Sequence, residues 1–251
     1  MKKSAFLFIV SFFLQFHANG QAQELSSDDF TFVRVRYGMG EYSMGFYARY
    51  GGIDSWQVDF PEAEEHFMRA VKHQTSLSTN RNATSFSLTD EELFDYAFAY
   101  VVEVGFMKLT VEEAKSLREW LLRGGFLFID DFHGPREWQN FQLEFSRVLP
   151  EYNIVDITPS HPIFHCYYDF DAFPVVPGLA SLFRGALFEK GGKAAHCRGI
   201  FDEQGRLMVL INHNVDLGDS WEHANDYRYD PQFSVLGYKL GINYLIYALT
   251  H

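Results

Sequence analysis

Residues 126–129, Phe-Leu-Phe-Ile, are apolar without a break and stand between Gly124-Gly125 and the acid pair Asp130-Asp131. A half-solvated strand alternates apolar with polar residues, whereas a uniform run suits a strand covered on both faces, as in a mainly parallel sheet. The residues ahead of it fit the same plan. Thr110-Val111-Glu112-Glu113 has the form of a capping box, and Ala114, Leu117, Trp120 and Leu121 then recur at helical spacing until the double glycine. Helix, tight turn, buried strand and abrupt acidic end make one unit of an α/β protein.

The rest of the chain repeats the alternation. Phe32 to Tyr37 reads as a strand, Phe98 to Val102 as a buried one, and further strands are expected at Asn153 to Ile157 and Leu207 to Ile211. Helices are expected from Pro61 to about His73, from Pro135 to Val148 and from about Gln232 to Leu249. Between the first strand and the first helix, Gly38, Gly40, Gly45, Gly51 and Gly52 mark an irregular loop that carries Tyr42, Tyr47 and Tyr50. Such an order implies crossover connections, a mainly parallel sheet and helices on both faces.

Lys2 and Lys3, the apolar stretch from Ala5 to Phe16 and the small-residue segment Ala18 to Ala22 predict a cleavable export signal over residues 1–22. Cleavage after Gly20 or Ala22 would leave residues 23–251 as one domain, periplasmic or secreted. The other reading is a retained, anchoring helix. No later run reaches the roughly 18 uninterrupted apolar residues of a membrane span, so no stable span is expected after signal cleavage. A formal net charge of −12 argues against a nucleic-acid partner, because phosphate binding needs clustered lysine and arginine. Cys166 and Cys197, each preceded by a histidine, could form a disulfide or remain two buried thiols. Their spacing is not that of a zinc signature.

A spaced set of motifs carries a resemblance. Val33 to Tyr37, Trp56 to Asp59 with Pro61 and Ala63-Glu64, Gly124 to Asp131, His161-Pro162-Ile163-Phe164, and Asn212 to Trp221 together resemble the bacterial domain of unknown function 4159. The resemblance implies a class I glutamine amidotransferase-like fold, a flavodoxin-like three-layer sandwich. Enzymes of that parent fold use a cysteine on a glycine-flanked nucleophile elbow. Neither Cys166 nor Cys197 has glycine neighbours of that kind, so the resemblance implies the fold and leaves the reaction open.

In open α/β sheets ligands sit beyond the carboxyl ends of the strands. Asp130, Asp131 and His133 follow the apolar strand and could hold a divalent metal, orient a histidine or serve as acid and base. Alternatively, Asp131 caps the helix at Pro135 and Asp130 pairs with Arg34 or Arg36. Asn212, Asn214 and Asp216 follow another apolar run, with Trp221, Glu222 and His223 beyond. Amides, a carboxylate and an aromatic plate suit a sugar or other polyol; the competing reading is a turn built from asparagine and aspartate. His161, with His165 nearby, and Trp56 with Asp59 complete the candidates. Since parallel strands all end on one side, the Asp130 and Asn212 clusters should share a crevice.

Three functions compete. The first is a non-catalytic envelope domain that binds a small polar ligand, a glycan, a peptide or an envelope protein and needs no cofactor. The second is a hydrolase, metal-dependent or built on carboxylate and histidine, with Asp131 as base and His133 or His161 as its partner. The third is an assembly subunit that works through the tyrosine-rich loop.

Overall fold

The computed structural model describes residues 29–40 and 51–251. The expected export signal and Tyr42, Tyr47 and Tyr50 lie outside the described residues. Strands β1 (Val33–Arg36), β2 (Thr84–Ser87), β3 (Phe98–Val102), β4 (Phe126–Asp130), β5 (Ile154–Asp156), β6 (His196–Phe201) and β7 (Leu207–His213) form one seven-stranded sheet, in the order β2-β1-β3-β4-β7-β6-β5. The strands from β2 to β7 in that order pair in parallel; β6 runs antiparallel to both β7 and β5. Helices are α1 (Glu62–Gln74), α2 (Val111–Leu122), α3 (Gly134–Val148), α4 (Leu179–Phe183), α5 (Leu217–Glu222) and α6 (Pro231–Thr250). The architecture is therefore mixed α/β with a mostly parallel sheet.

The unbroken apolar runs have the expected cause. Phe98, Tyr100, Phe126, Phe128 and Leu210 enter one core with Phe67 of α1, Trp221 of α5 and Leu240 of α6. The intervening Ala99, Val101, Leu127, Ile129, Val209 and Ile211 enter a second core with Leu117 of α2 and Phe141 of α3. Each strand thus buries successive side chains on opposite sides. None of the helices among the described residues is long and apolar enough to cross a membrane.

Four elements escaped the sequence reading, among them the five-residue helix α4. β2 is Thr-Ser-Phe-Ser, half-buried throughout at the sheet edge, so no apolar run announces it. β6 interleaves buried Cys197, Gly199 and Ile200 with polar residues, and α5 is only six residues long. β7 also runs two residues past Ile211, because Asn212 and His213 continue the ladder against Cys197 and His196. No disulfide forms: Cys166 and Cys197 are both free, and burial pushes the Cys197 thiol up to about 12.

The capping box of α2 is present: the Thr110 hydroxyl accepts the Glu113 amide, and the Glu113 carboxylate accepts the Thr110 amide at 2.7 Å. Thr110→Ala should therefore destabilise the fold by about 1 kcal/mol. Urea denaturation showing no shift in midpoint would refute that role.

A buried arginine ties the loop ahead of α1 to the sheet. Arg34, fully buried in β1, donates through Nε to Glu64 Oε1 at 2.6 Å and through Nη1 to the carbonyls of Trp56 and Val58, both at 2.8 Å. Its guanidinium lies 4.8 Å from the centroid of the Tyr100 ring. Neither arginine meets Asp130: Arg36 pairs with Asp90 instead. Fixing residues 56–58 to β1 places the next residue, Asp59, at the carboxyl edge of the sheet.

Candidate functional site

β3, β4 and β7 end side by side, and the chain leaving each turns sharply. Glu103, Asp131 and Asn214, just past these strand ends, have φ of 52°, 49° and 62°. Asp59 at 61° and Lys190 at 49° complete the non-glycine residues with positive φ among the described residues. Left-handed backbone is costly for residues with a Cβ, least so for Asn and Asp, and clusters at functional sites. All five border the same region, as their mutual electrostatic contacts and hydrogen bonds show.

Asp130 and Asn212 form the floor. Asp130 accepts from the Tyr100 hydroxyl at 3.0 Å, the Leu217 amide at 2.7 Å and the Asn212 amide at 3.2 Å, while Asn212 accepts from Tyr244. All are fully buried, so these two sequence candidates knit β4, β7, α5 and α6 together. Asn214 builds the turn: its side chain accepts the Gly134 amide at 2.8 Å and donates to Ala194 at 2.7 Å. Gly134 itself has φ of 73°, and a Cβ there would stand 2.0 Å from the Lys190 carbonyl oxygen.

Above that floor the carboxylates converge. Asp131, His133 and Asp216 present ligand atoms within 4.8 Å of one another; so do Asp59, Asp216 and Asp219, and so do Asp219, Glu222 and His223. Asp131 does not cap α3. The His133 amide at that helix start is instead accepted by Glu137 at 2.6 Å, and Asp131 lies 3.0 Å from His133 Nε2. Asp216 caps α5 by accepting the Asp219 amide at 2.8 Å. Asp131 and Asp216 are only 5 % exposed, so these are buried charges rather than solvated ones.

The ion pairs among the described residues give Asp59, Asp131 and Asp216 no lysine or arginine partner. The nearest lysine, Lys190, is held by Glu103 at 3.1 Å and Glu137 at 2.8 Å. Asp59 Oδ2 and His133 Nδ1 are buried with no hydrogen-bond partner. The walls are glycine: a Cβ on Gly178 would stand 2.6 Å from Asp216 Oδ2, and one on Gly218 2.5 Å from Asp59 Oδ2. Buried carboxylates without cationic partners, beside an imidazole nitrogen without a proton acceptor or donor, are the donor set of a divalent metal.

Burial, reinforced by the charges of Asp219 and Asp131, holds Asp59 well above the usual carboxylate range, and burial with Asp131 and Asp219 does the same to Asp216. Burial and Asp131 raise Asp130 to about 7, against the pull of its hydrogen bonds. Burial pushes half-buried Asp219 up, but its bond to His223, the charge of His223 and the Leu179 amide together outweigh that and bring it down; the bond also raises His223.

These shifts fix a pH dependence. Asp59, Asp130 and Asp216 bind protons more tightly when folded, so the cation-free protein loses stability as pH rises from the ordinary aspartate value of 3.8 through about 7. His223, raised by its carboxylate partner, loses its contribution as pH rises above 6.5, while His213, lowered to about 4 by burial, offsets part of the trend between about pH 4 and 6.5. Between pH 5 and pH 8 the Tm should fall by roughly 5 to 10 °C without divalent cation. A flat or rising Tm in a calorimetric pH series would contradict the arrangement.

Three candidates do not join the cluster as ligand groups. Trp221 is fully buried, its ring 4.5 Å from that of Phe67 and close to Phe32 and Tyr100, so it is a core residue and not an exposed plate. His161 packs on Phe201 and Tyr247; Phe201 pairs with Leu207, at the opposite end of β7 from Asp216. Trp56 serves through its carbonyl, while its ring packs on Phe60 and the second core. The sequence reading missed Asp219, Glu103, Glu137 and Lys190. Asp219 lies one helical turn beyond Asp216, and Glu103 directly follows a recognisable strand, so both positions carried a signal.

An open cleft of about 990 Å³ lies at the other edge, bordered by Phe30, Thr84 and Phe98 at the amino ends of the strands. Its Arg69, Lys72 and Asp95 are exposed, ordinary surface charges. Among the described residues, the buried carboxylates Asp130, Asp131 and Asp216, which have no lysine or arginine partner, stand at the carboxyl edge. Among curated proteins none matches this chain. The sequence pattern of the domain of unknown function DUF4159 matches residues 31–249, nearly everything described above, and the chain belongs to the DUF4159 family.

Proposed function

We propose that this chain is an exported domain, mature from about residue 23, that binds a small polar ligand through divalent cation held in the converging group of Asp59, Asp131, His133, Asp216 and Asp219. One observation carries the reading: buried Asp131 and Asp216 and half-buried Asp59, whose Oδ2 is buried, converge with no lysine or arginine among the described residues paired to them. Such charges are costly to bury, and a cation supplies the missing counter-charge. The two cores on alternate faces of the strands support a flavodoxin-like, three-layer, glutamine amidotransferase-like arrangement. Location at the carboxyl edge of the sheet is where that arrangement places ligands. A glycan, a peptide or an envelope protein would offer hydroxyl or carboxylate oxygens to the cation.

A second reading, a hydrolase, is favoured by the Asp131–His133 pair. The carboxylate orients the imidazole through Nε2 and leaves Nδ1 unpartnered, an arrangement suited to activating water. Thiol catalysis is disfavoured, because burial raises both Cys166 and Cys197 and the thiolate is the nucleophile.

Elemental analysis of the purified full chain separates these readings from a metal-free binding role. One or more equivalents of zinc, calcium or manganese, reduced in Asp131→Asn, is the expected result. A metal-free protein that gains no thermal stability on adding any of the three would overturn the proposal.

A further inference from the structure

We infer that the pocket holds two divalent cations side by side, bridged by Asp216. The inference rests on the cation-binding reading above and extends it. Asp216 belongs to two separate sets of converging ligand atoms, one with Asp131 and His133, the other with Asp59 and Asp219. Oxygen and nitrogen ligands lie about 2.0 to 2.3 Å from a small divalent cation, so ligands on opposite sides stand only about 4 to 4.6 Å apart. Within each set the ligand atoms lie within 4.8 Å of one another, close to that separation, whereas the five residues do not gather into a single set. Two coordination spheres sharing a carboxylate satisfy the geometry.

Each sphere has its own orphaned group. His133, 2 % exposed, leaves Nδ1 without a partner in the first; Asp59 leaves a buried Oδ2 without a donor in the second. Charge gives the same count. Asp59, Asp131 and Asp216 together carry more formal negative charge than one divalent cation neutralises, with Asp219 already paired to His223. The third set, Asp219 with Glu222 and His223, needs no ion, since His223 already lies 3.4 Å from Asp219 and 3.3 Å from Glu222. The two spheres also differ in chemistry. An imidazole in the first suits zinc or manganese, while the all-carboxylate second suits magnesium, calcium or manganese. Manganese suits both, and carboxylate-bridged ions in two-metal sites sit about 3.5 to 4 Å apart, close enough to couple magnetically.

The test is titration of the chelator-stripped full chain with Mn²⁺, followed by calorimetry and electron paramagnetic resonance. Two Mn²⁺ per chain with an exchange-coupled spectrum is the expected result. Asp59→Asn should reduce this to one uncoupled ion, and His133→Ala should do so from the other side. Circular dichroism verifies the fold, and Asp219→Asn replaces Asp59→Asn if that variant does not fold. A single Mn²⁺ in the unsubstituted chain overturns the two-ion site and leaves the cation-binding reading standing. No bound Mn²⁺ overturns both. Two ions retained in both Asp59→Asn and Asp219→Asn would also overturn the bridged arrangement.

Discussion

Asp216→Asn should weaken cation binding at least about 100-fold while leaving the cation-free fold as stable as before, or more stable by about 1 to 2 kcal/mol. Asp216 is the carboxylate that these two converging sets share, so its replacement takes a ligand from both at once. Asparagine is as good a helix cap as aspartate, and its side-chain oxygen can still accept the Asp219 amide. What the substitution removes is a buried negative charge raised by burial and by the neighbouring Asp131, Asp219 and Asp59. Calorimetric titration gives the affinity, and urea denaturation in chelator gives the stability. A stability loss beyond about 2 kcal/mol with unchanged affinity would make Asp216 a scaffold residue and remove the functional argument.

Arg34→Ala should cost about 3 to 5 kcal/mol and bring the protein close to unfolding. The reason is not the worth of the Arg34–Glu64 bond but what its removal leaves behind. Glu64 would remain fully buried and unpaired, and the carbonyls of Trp56 and Val58 would lose their donor. An apolar pair in place of both residues, Arg34→Met with Glu64→Leu, should recover most of the stability, since no orphaned charge remains. It should still bind cations weakly, because the 56–58 segment that positions Asp59 is no longer tied to β1. Urea denaturation of the single and paired variants measures the coupling. A loss under about 1 kcal/mol for Arg34→Ala would show that the buried pair contributes little.

Much of the fold was legible because its signals are local. The Phe126–Ile129 run, the Thr110 capping box and the helical spacing of Ala114, Leu117, Trp120 and Leu121 all correspond to observed elements. β2 was not legible, because an edge strand needs no apolar face of its own and borrows its identity from the neighbour it pairs with, and β6, flanked by β7 and β5, was not, because its buried residues Cys197, Gly199 and Ile200 make no apolar run. The site divides similarly. That Asp131 and Asp216 would meet followed from parallel strands ending on one side, and they do share a set of ligand atoms.

The roles within the cluster were another matter. Asp130 and Asp131 are adjacent in sequence, yet one faces a buried network of Tyr100, Asn212 and the Leu217 amide and the other faces His133. Trp221, which read as an aromatic plate, fills the core against Phe67 instead. The sequence by itself determined the central strands, the longer helices and their stops, and the acidic end of β4, because periodicity, capping and turn chemistry act over a few residues. Only the tertiary structure decided that Asp59, far upstream, joins Asp216 and Asp219, and which carboxylates lie buried without a partner. Burial and pairing depend on groups brought in from distant segments by the sheet order and by Arg34, and no local pattern encodes that convergence.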